Sequence, residues 1–562
     1  MKRTLFRFFL PILSSLAIFF LIACEADPAT FTAPVPTIPP TIGSTATNAP
    51  TRTPRATQAA LPSPTKLTPT VAPTPTVRRR GGSLIVAGVG EPSREIAALP
   101  QFVASALYDS LLRVNPQDGS LLPGLATSWT VSDDAKTVTF VLRQGVKWHD
   151  GLPLTAGDVV FTLKTLSDAK IRVTPAADFG SLADVTAPDA QTVRLTFREP
   201  YCAALTYIGN IKILPEHVLK NKPLNDVAPA DLIGTGPLIL KAWQDDALTF
   251  KANAAYWNGA PWVTDWTYRA YPAYPDERAA RDAVRQGDAD VVVTQDVMDG
   301  TQNSAYTTNE FYALAINTKR APFDDVRVRQ AVAVALDRAQ FTTTLRGTTL
   351  ETSMLPSFWA NANPKPQSFD VARARQLLSD AGWRDADGDG IVEKAGKPLE
   401  VTLWAQADDA TFETAAQIAR AQLEAIGIRA VLKLPERYLY LTRVFLQEYD
   451  LALAHFNIPL DPDQHYFWST QSDEPGYGLN VTGYANAQVD QALDTGNAVA
   501  RCEPTARKQI YALMFQRLAT DAPMVFLFAP TRNVNARAQV QGIAPSSFAG
   551  AFWNLNAWEV AP

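Results

Sequence analysis

The chain has 562 residues, of which 46 % are hydrophobic, 19 % charged and 10 % aromatic. That supports two or three domains with a substantial core and excludes a disordered, collagen-like or disulfide-stapled protein. The net charge of −5 conceals a split, since residues 1–80 carry nine Lys/Arg against Glu25 and Asp27 and the remainder sums to −12; an acidic body without a basic run excludes nucleic acid as a partner, because that affinity rests on cations neutralising phosphates.

Lys2, Arg3 and Arg7 open the chain, and residues 8–23 are apolar apart from Pro11, Ser14 and Ser15. This run is shorter than the roughly 20 residues that span a bilayer, so it reads as a secretion signal. It ends in Leu21-Ile22-Ala23-Cys24. That string resembles the lipobox of bacterial lipoproteins, which implies an acylated Cys24 and a lipid bilayer as partner. The alternatives are an ordinary signal with an incidental cysteine, or an uncleaved anchor. Residues 25–80 hold 12 Pro and 14 Thr with Phe31 as the only aromatic. Such a segment buries too little to order itself and reads as a disordered, semi-extended stalk.

Beyond residue 80 no second low-complexity linker appears, and helix and strand signals alternate as in mixed α/β folds. Residues 136–143 (KTVTFVLR) and 192–198 (TVRLTFR) alternate polar and apolar side chains, so each predicts a strand. Between them Thr155 precedes Asp158 by three residues, a helix start for AGDVVFTLKTL. Helical spacing recurs over 371–381, 410–426 and 506–519. Gly234, Gly236 and Pro237 predict a tight turn, and 322–325 (PFDD) a turn capping the next helix. Trp129 and Trp383 read as core anchors.

The chemistry of an enzyme is missing from the string: there is no GxSxG, HExxH, GxxxxGK[ST] or CxxC, and no cofactor motif. The four histidines are His149, His217, His455 and His465; their spacings match no zinc pattern. The expectation is a protein that binds rather than catalyses.

A series of strings in fixed order carries the more specific signal. WTVSDDAKTVTFVLRQGVKWHDGLPLTAGDVVFTL (129–163) is preceded by LYDSLL (107–112) and LLPGLATSW (121–129). GTGPLIL (234–240), NAAYWNG (253–259) and INTKRAPFDDVRVRQAVAVALDR (316–338) follow, then ARQLLSDAGWRDADGDGIVEKAGKPL (374–399), DPDQHYFWST (461–470) and RKQIYALMFQRLATDAPMVFLF (507–528). Together these resemble the family 5 extracellular solute-binding proteins, the peptide, nickel and oligosaccharide receptors of ABC importers.

The resemblance implies a two-lobed periplasmic-binding-protein-like α/β fold with an extra subdomain in the first lobe. Lobe 1 would comprise 81–107, 203–270 and 532–562, its subdomain 108–202, and lobe 2 residues 271–531. It also implies a lipid-anchored, extracytoplasmic monomer that captures a peptide-like solute and hands it to an ABC permease. The alternatives are an oligosaccharide receptor of the same family, a surface sensor without transport, and a secreted hydrolase. In peptide-binding relatives an aspartate on a second-lobe loop pairs with the ligand's amino group. The matching position is Asp461, unless Asp461-Pro462-Asp463 is only a turn. Trp404 and Trp468 are candidate pocket walls, and Ala98 falls where some relatives pair main chain with a peptide.

Asp385, Asp387 and Asp389 resemble the start of a calcium loop, but position 12 falls on Gly396 where a glutamate is required, so a turn is the preferred reading. Cys202 and Cys502 are the remaining cysteines. A disulfide suits an extracytoplasmic pair, and the sequence leaves open whether their Cα atoms come within about 7 Å.

Overall fold

The structure is a computed structural model. Residues 80–561 are described, except 91, 169–178, 180, 273–276, 363, 365–367 and 477. The expected lipobox with Cys24, and the expected stalk up to residue 79, lie outside the described residues.

The strand-forming runs gather into one twelve-stranded mixed sheet that serves two bodies. In the first body Ser83–Val89 runs parallel to Asp265–Tyr271, which pairs antiparallel with Ala247–Ala252 and, through it, with Leu238–Gln244. Helix Gln101–Leu107 lays Phe102 against this sheet, where Phe250, Trp266, Tyr268 and Phe552 surround it with ring centroids no more than 6.0 Å away. Such an aromatic cluster combines a large buried area with favourable edge-to-face geometry.

In the second body Glu310–Ile316 and Leu451–Asn457 pair antiparallel. Their facing stretches, Phe311–Ile316 and residues 451–454, are almost continuously buried. Such apolar runs belong to strands covered on both faces. Helices Val326–Ala335, Ala410–Glu424 and Pro504–Asp521 contribute Val328, Phe412, Phe515 and their neighbours to this core. Asp325 caps the first of them by accepting the Arg327 amide at 2.9 Å. The 506–519 helix begins two residues earlier than predicted, because Glu503 caps it and Pro504 fits a first turn that needs no N–H.

One strand joins the bodies. Met524–Ala536 is 13 residues long; its first half pairs with Glu310–Ile316 and its last four residues with Val291–Thr294, which in turn lies parallel to Ser83–Val89.

A third, smaller core belongs to a four-stranded sheet, with Ala126–Val131, Thr137–Leu142, Thr192–Phe197 and Leu182–Asp189 in that spatial order. Helix Ala156–Leu166 packs on it, and the Thr155 amide donates to the Asp158 carboxylate at 2.9 Å as the spacing predicts.

Two expected boundaries shift. Helix Arg278–Gln286 buries Ala280, Ala283 and Val284 against Ala87 and Val292. Residues 278–298 therefore pack with the first body rather than opening the second at 271. The small core also takes in Ile208 and Ile213, so it extends past 202. The reason for glycine at 234 and 236 differs as well. Neither has a positive φ; a Cβ at Gly234 would sit 1.7 Å from the Leu107 carbonyl oxygen, and one at Gly236 2.5 Å from that of Ala106. Close approach of two backbones is what excludes a side chain there. Among the described residues no helix is long and apolar enough to cross a membrane.

Candidate functional site

A cavity of about 620 Å³ lies between the two bodies, within the size range that takes small ligands. The first body supplies Ile96 and Leu99 from the turn before the Gln101–Leu107 helix, and Tyr108 from its end. Thr206, Tyr207 and Lys212 follow from the segment that leaves the small sheet. The second body supplies Asn309 and residues 456–460, where the strand Leu451–Asn457 runs out of the sheet. Asn309 fastens that loop, its side-chain amide donating to the Ile458 carbonyl at 2.7 Å while its backbone carbonyl accepts the Ile458 amide at 2.9 Å. The walls are mainly apolar, with Phe456, Ile458, Leu460 and Phe467 facing Ile96 and Leu99.

Behind the Thr206–Tyr207 wall the bodies are clasped together. Asp461 is fully buried and forms a two-pronged ion pair with Arg507, at 2.6 and 3.0 Å. The Thr206 hydroxyl donates to the same carboxylate at 2.9 Å, and so does the Asp463 amide at 2.9 Å. Each oxygen therefore already accepts two hydrogen bonds. Beside this pair Tyr207 donates to the Asp463 carbonyl at 3.2 Å, and Asn497 bridges Asp463 to the Ala203 amide. Burial, then the charges of Asp461 and Asp463, hold the Tyr207 phenol well above its ordinary pKa, so it stays a neutral donor. Cys202 and Cys502, 5.2 Å apart at Cα, form a disulfide across the same junction.

The residues singled out from sequence divide accordingly. Asp461 faces the clasp, and its carboxylate has no free lone pair for a ligand amine. Trp468 is 1 % exposed and donates its indole N–H to Gln464 at 2.8 Å, inside the second core. Trp404 ends the strand Glu400–Trp404 and packs on that core without lining the cavity. Ala98 is exposed on the 96–98 turn, where its neighbours Ile96, Ala97 and Leu99 line the cavity instead. Lys212, Tyr207 and Phe456 were not singled out. The one available signal was a lysine inside the apolar run Ile211-Lys212-Ile213-Leu214, a position that a solvated charge does not need.

The histidines are engaged structurally. His149 Nδ1 accepts the Gly234 amide at 3.2 Å, so its Nε2 carries the proton donated to the Gly236 carbonyl at 3.1 Å. Burial pulls its pKa down, in keeping with a neutral ring. His217 bonds Asp150 at 2.7 Å, and His455 stacks on Tyr312 at 4.4 Å. His465 lies between Asp463 and Asp494, at 2.5 and 3.1 Å. Burial opposes its charge, but the hydrogen bonds and charges of the two carboxylates win and raise its pKa to about 9.

In the acidic loop, ligand oxygens of Asp385, Asp387, Asp389 and Glu393 lie within 4.8 Å of one another. Glu393, the fourth carboxylate of this largely exposed group, stands at position 9 of the loop rather than 12. The loop's own amides turn toward these carboxylates. Gly388 and Gly390 donate to Asp385, Asp389 to Asp387, Ile391 to Asp389, and Ala386 to Glu393.

Comparison with known proteins agrees with this architecture. The family model described as bacterial extracellular solute-binding proteins, family 5 middle, matches residues 120–478. The chain is 27 % identical over 495 residues to the oligopeptide-binding protein AppA of Bacillus subtilis, covering 83 % of this chain and 89 % of that one. It is 29 % identical over 456 residues to the nickel-binding periplasmic protein of Escherichia coli, covering 75 % and 83 %. Among solved structures, NikZ from Campylobacter jejuni in complex with Ni(L-His) superposes with a TM-score of 0.68 at 26 % identity, over 85 % of this chain and 99 % of that one. Fold and cavity thus define an extracytoplasmic solute-binding protein, a class that binds and does not catalyse. The chain belongs to the bacterial extracellular solute-binding proteins of family 5.

Proposed function

We propose that the chain is the lipid-anchored substrate-binding component of an ABC importer, and that two lobes close on a peptide-like solute which is then handed to a membrane permease. The observation that carries this reading is the cavity walled from both bodies, the usual place for a ligand at a domain interface. The shared strand Met524–Ala536 is the natural hinge for closure. Two relatives bear names that divide the choice of cargo, one for oligopeptides and one for nickel. The described lining residues include apolar side chains, amides and hydroxyls but no histidine, cysteine or carboxylate. That composition favours a peptide-like body over a metal ion held directly by side chains. Anchoring rests on the Cys24 lipobox string, and display at a distance on the Pro/Thr-rich stalk.

A thermal-shift screen of the purified full chain tests the cargo, against di- to octapeptides, oligosaccharides and Ni²⁺ chelates. Ligand at 100 times its Kd should add about 2.7 kcal/mol of stability. A peptide hit supports the assignment. A hit from sugars or chelates alone keeps the receptor and overturns the peptide. Anchoring is tested by fractionation, where Cys24→Ala should move the chain out of the membrane pellet; retention there would refute the lipobox.

A further inference from the structure

The wall of the cavity holds one charge that forms no ion pair among the described residues. Among the described lining residues Lys212 is the only ionised side chain. It follows the short helix that carries Thr206 and Tyr207, and its backbone forms a bridge to Ser110. Its side chain is exposed and lines the cavity. Crowding by the protein around the cavity pulls its pKa below the ordinary lysine value, with Asp109 partly opposing.

Among the described residues, the carboxylates of Asp109, Asp461 and Asp463 around this wall already have partners. Asp109 accepts from Thr235 at 2.9 Å, Tyr256 at 3.0 Å and Trp257 at 2.9 Å. Asp461 is held by Arg507, and Asp463 by His465 and Asn497. Two buried polar atoms of lining residues, the Tyr108 hydroxyl and the Asn309 side-chain oxygen, also lack partners among the described residues. Among the described residues no side chain pairs with the Lys212 ammonium, and the walls around it are mainly apolar. A carboxylate brought in by a ligand would supply the missing countercharge through a charge-assisted hydrogen bond.

We propose that Lys212 anchors a free carboxylate on the ligand, so that the preferred solute is an apolar body with one anionic end. This reverses the amine-anchored recognition expected at Asp461. It rests on the reading of this cavity as the solute site. The carboxylate could belong to a peptide C-terminus or to a simple apolar acid, and the test separates the two.

Binding of trileucine as free acid, as C-terminal amide and as N-acetyl derivative is measured by titration calorimetry, with octanoate as a non-peptide acid. The wild-type full chain is compared with Lys212→Met and Lys212→Arg. Amidation should weaken wild-type binding by about tenfold or more, the size of one charge-assisted hydrogen bond, while N-acetylation leaves it within about twofold. In Lys212→Met acid and amide should bind equally weakly, and Lys212→Arg should restore the preference for acid. A melting temperature of Lys212→Met no lower than wild type shows that the loss is not unfolding. Lys212-dependent binding of octanoate with none of trileucine keeps the anchor and overturns the peptide cargo. Equal binding of acid and amide to the wild type overturns the anchor and leaves the peptide cargo standing. No binding in any arm overturns both.

Discussion

Removing Arg507 separates the structural and ligand-binding readings of Asp461. The Arg507 and Asp461 side chains are 4 % and 0 % exposed. In Arg507→Met the carboxylate keeps only the Thr206 hydroxyl and the Asp463 amide. Stranding one member of a buried pair costs about 3–5 kcal/mol, because the remaining ion has lost its water and gained nothing in return. Asp461→Leu strands Arg507 in the same way, leaving it the Gly496 carbonyl at 3.1 Å. The double variant Asp461→Leu/Arg507→Met removes both charges, and well-packed apolar replacements of buried pairs are often neutral or stabilising. It should therefore recover most of what either single variant loses. Urea unfolding of the four proteins gives the coupling directly. Ligand affinity of the double variant should stay within about threefold of wild type, since the pair lies behind the cavity wall. The reasoning is refuted if Arg507→Met costs less than about 1 kcal/mol, or if the double variant is as stable as wild type yet no longer binds ligand.

Three further features of the structure carry expectations of their own. Cys202 and Cys502 close a loop of 300 residues, so Cys202→Ser/Cys502→Ser should lose up to about 5 kcal/mol in the chain-entropy account; an unchanged urea midpoint would contradict that. His465 has a folded pKa of about 9, above its unfolded value of about 6.5. Its contribution is therefore complete below about pH 6.5 and fades as pH rises through about 9. Its side chain is 32 % exposed, which screens the effect to about 1–2 kcal/mol. Melting curves between pH 6 and 9 should accordingly fall less steeply for His465→Gln than for wild type. Gly234→Ala forces a Cβ to 1.7 Å from the Leu107 carbonyl, a clash that backbone must absorb at about 1–3 kcal/mol or more; a melting temperature equal to wild type would show that the turn yields freely.

Local chemistry was legible in the string because its causes lie within a few residues. Strand alternation in 136–143 and 192–198, the Thr155–Asp158 helix start and the Asp325 cap each depend on neighbours that the sequence prints side by side. The family was legible for a related reason: an ordered series of turn and strand motifs survives in one dimension. Sequence by itself therefore determined the mixed α/β class, the family and the absence of catalytic motifs. The site was decided by tertiary structure, since whether a charged side chain serves a ligand depends on which partner reaches it first. Asp461 and Lys212 look equally available in the string. Folding brings Arg507, 46 residues away, and Thr206, 255 residues away, onto Asp461, and among the described residues it brings no ion-pair partner to Lys212. The same long-range geometry closed the cysteine pair and moved residues 278–298 onto the first body, where Val291–Thr294 found an open edge beside Ser83–Val89. Pairings over such separations are set by the packing of whole sheets, and packing of that kind has no local signature.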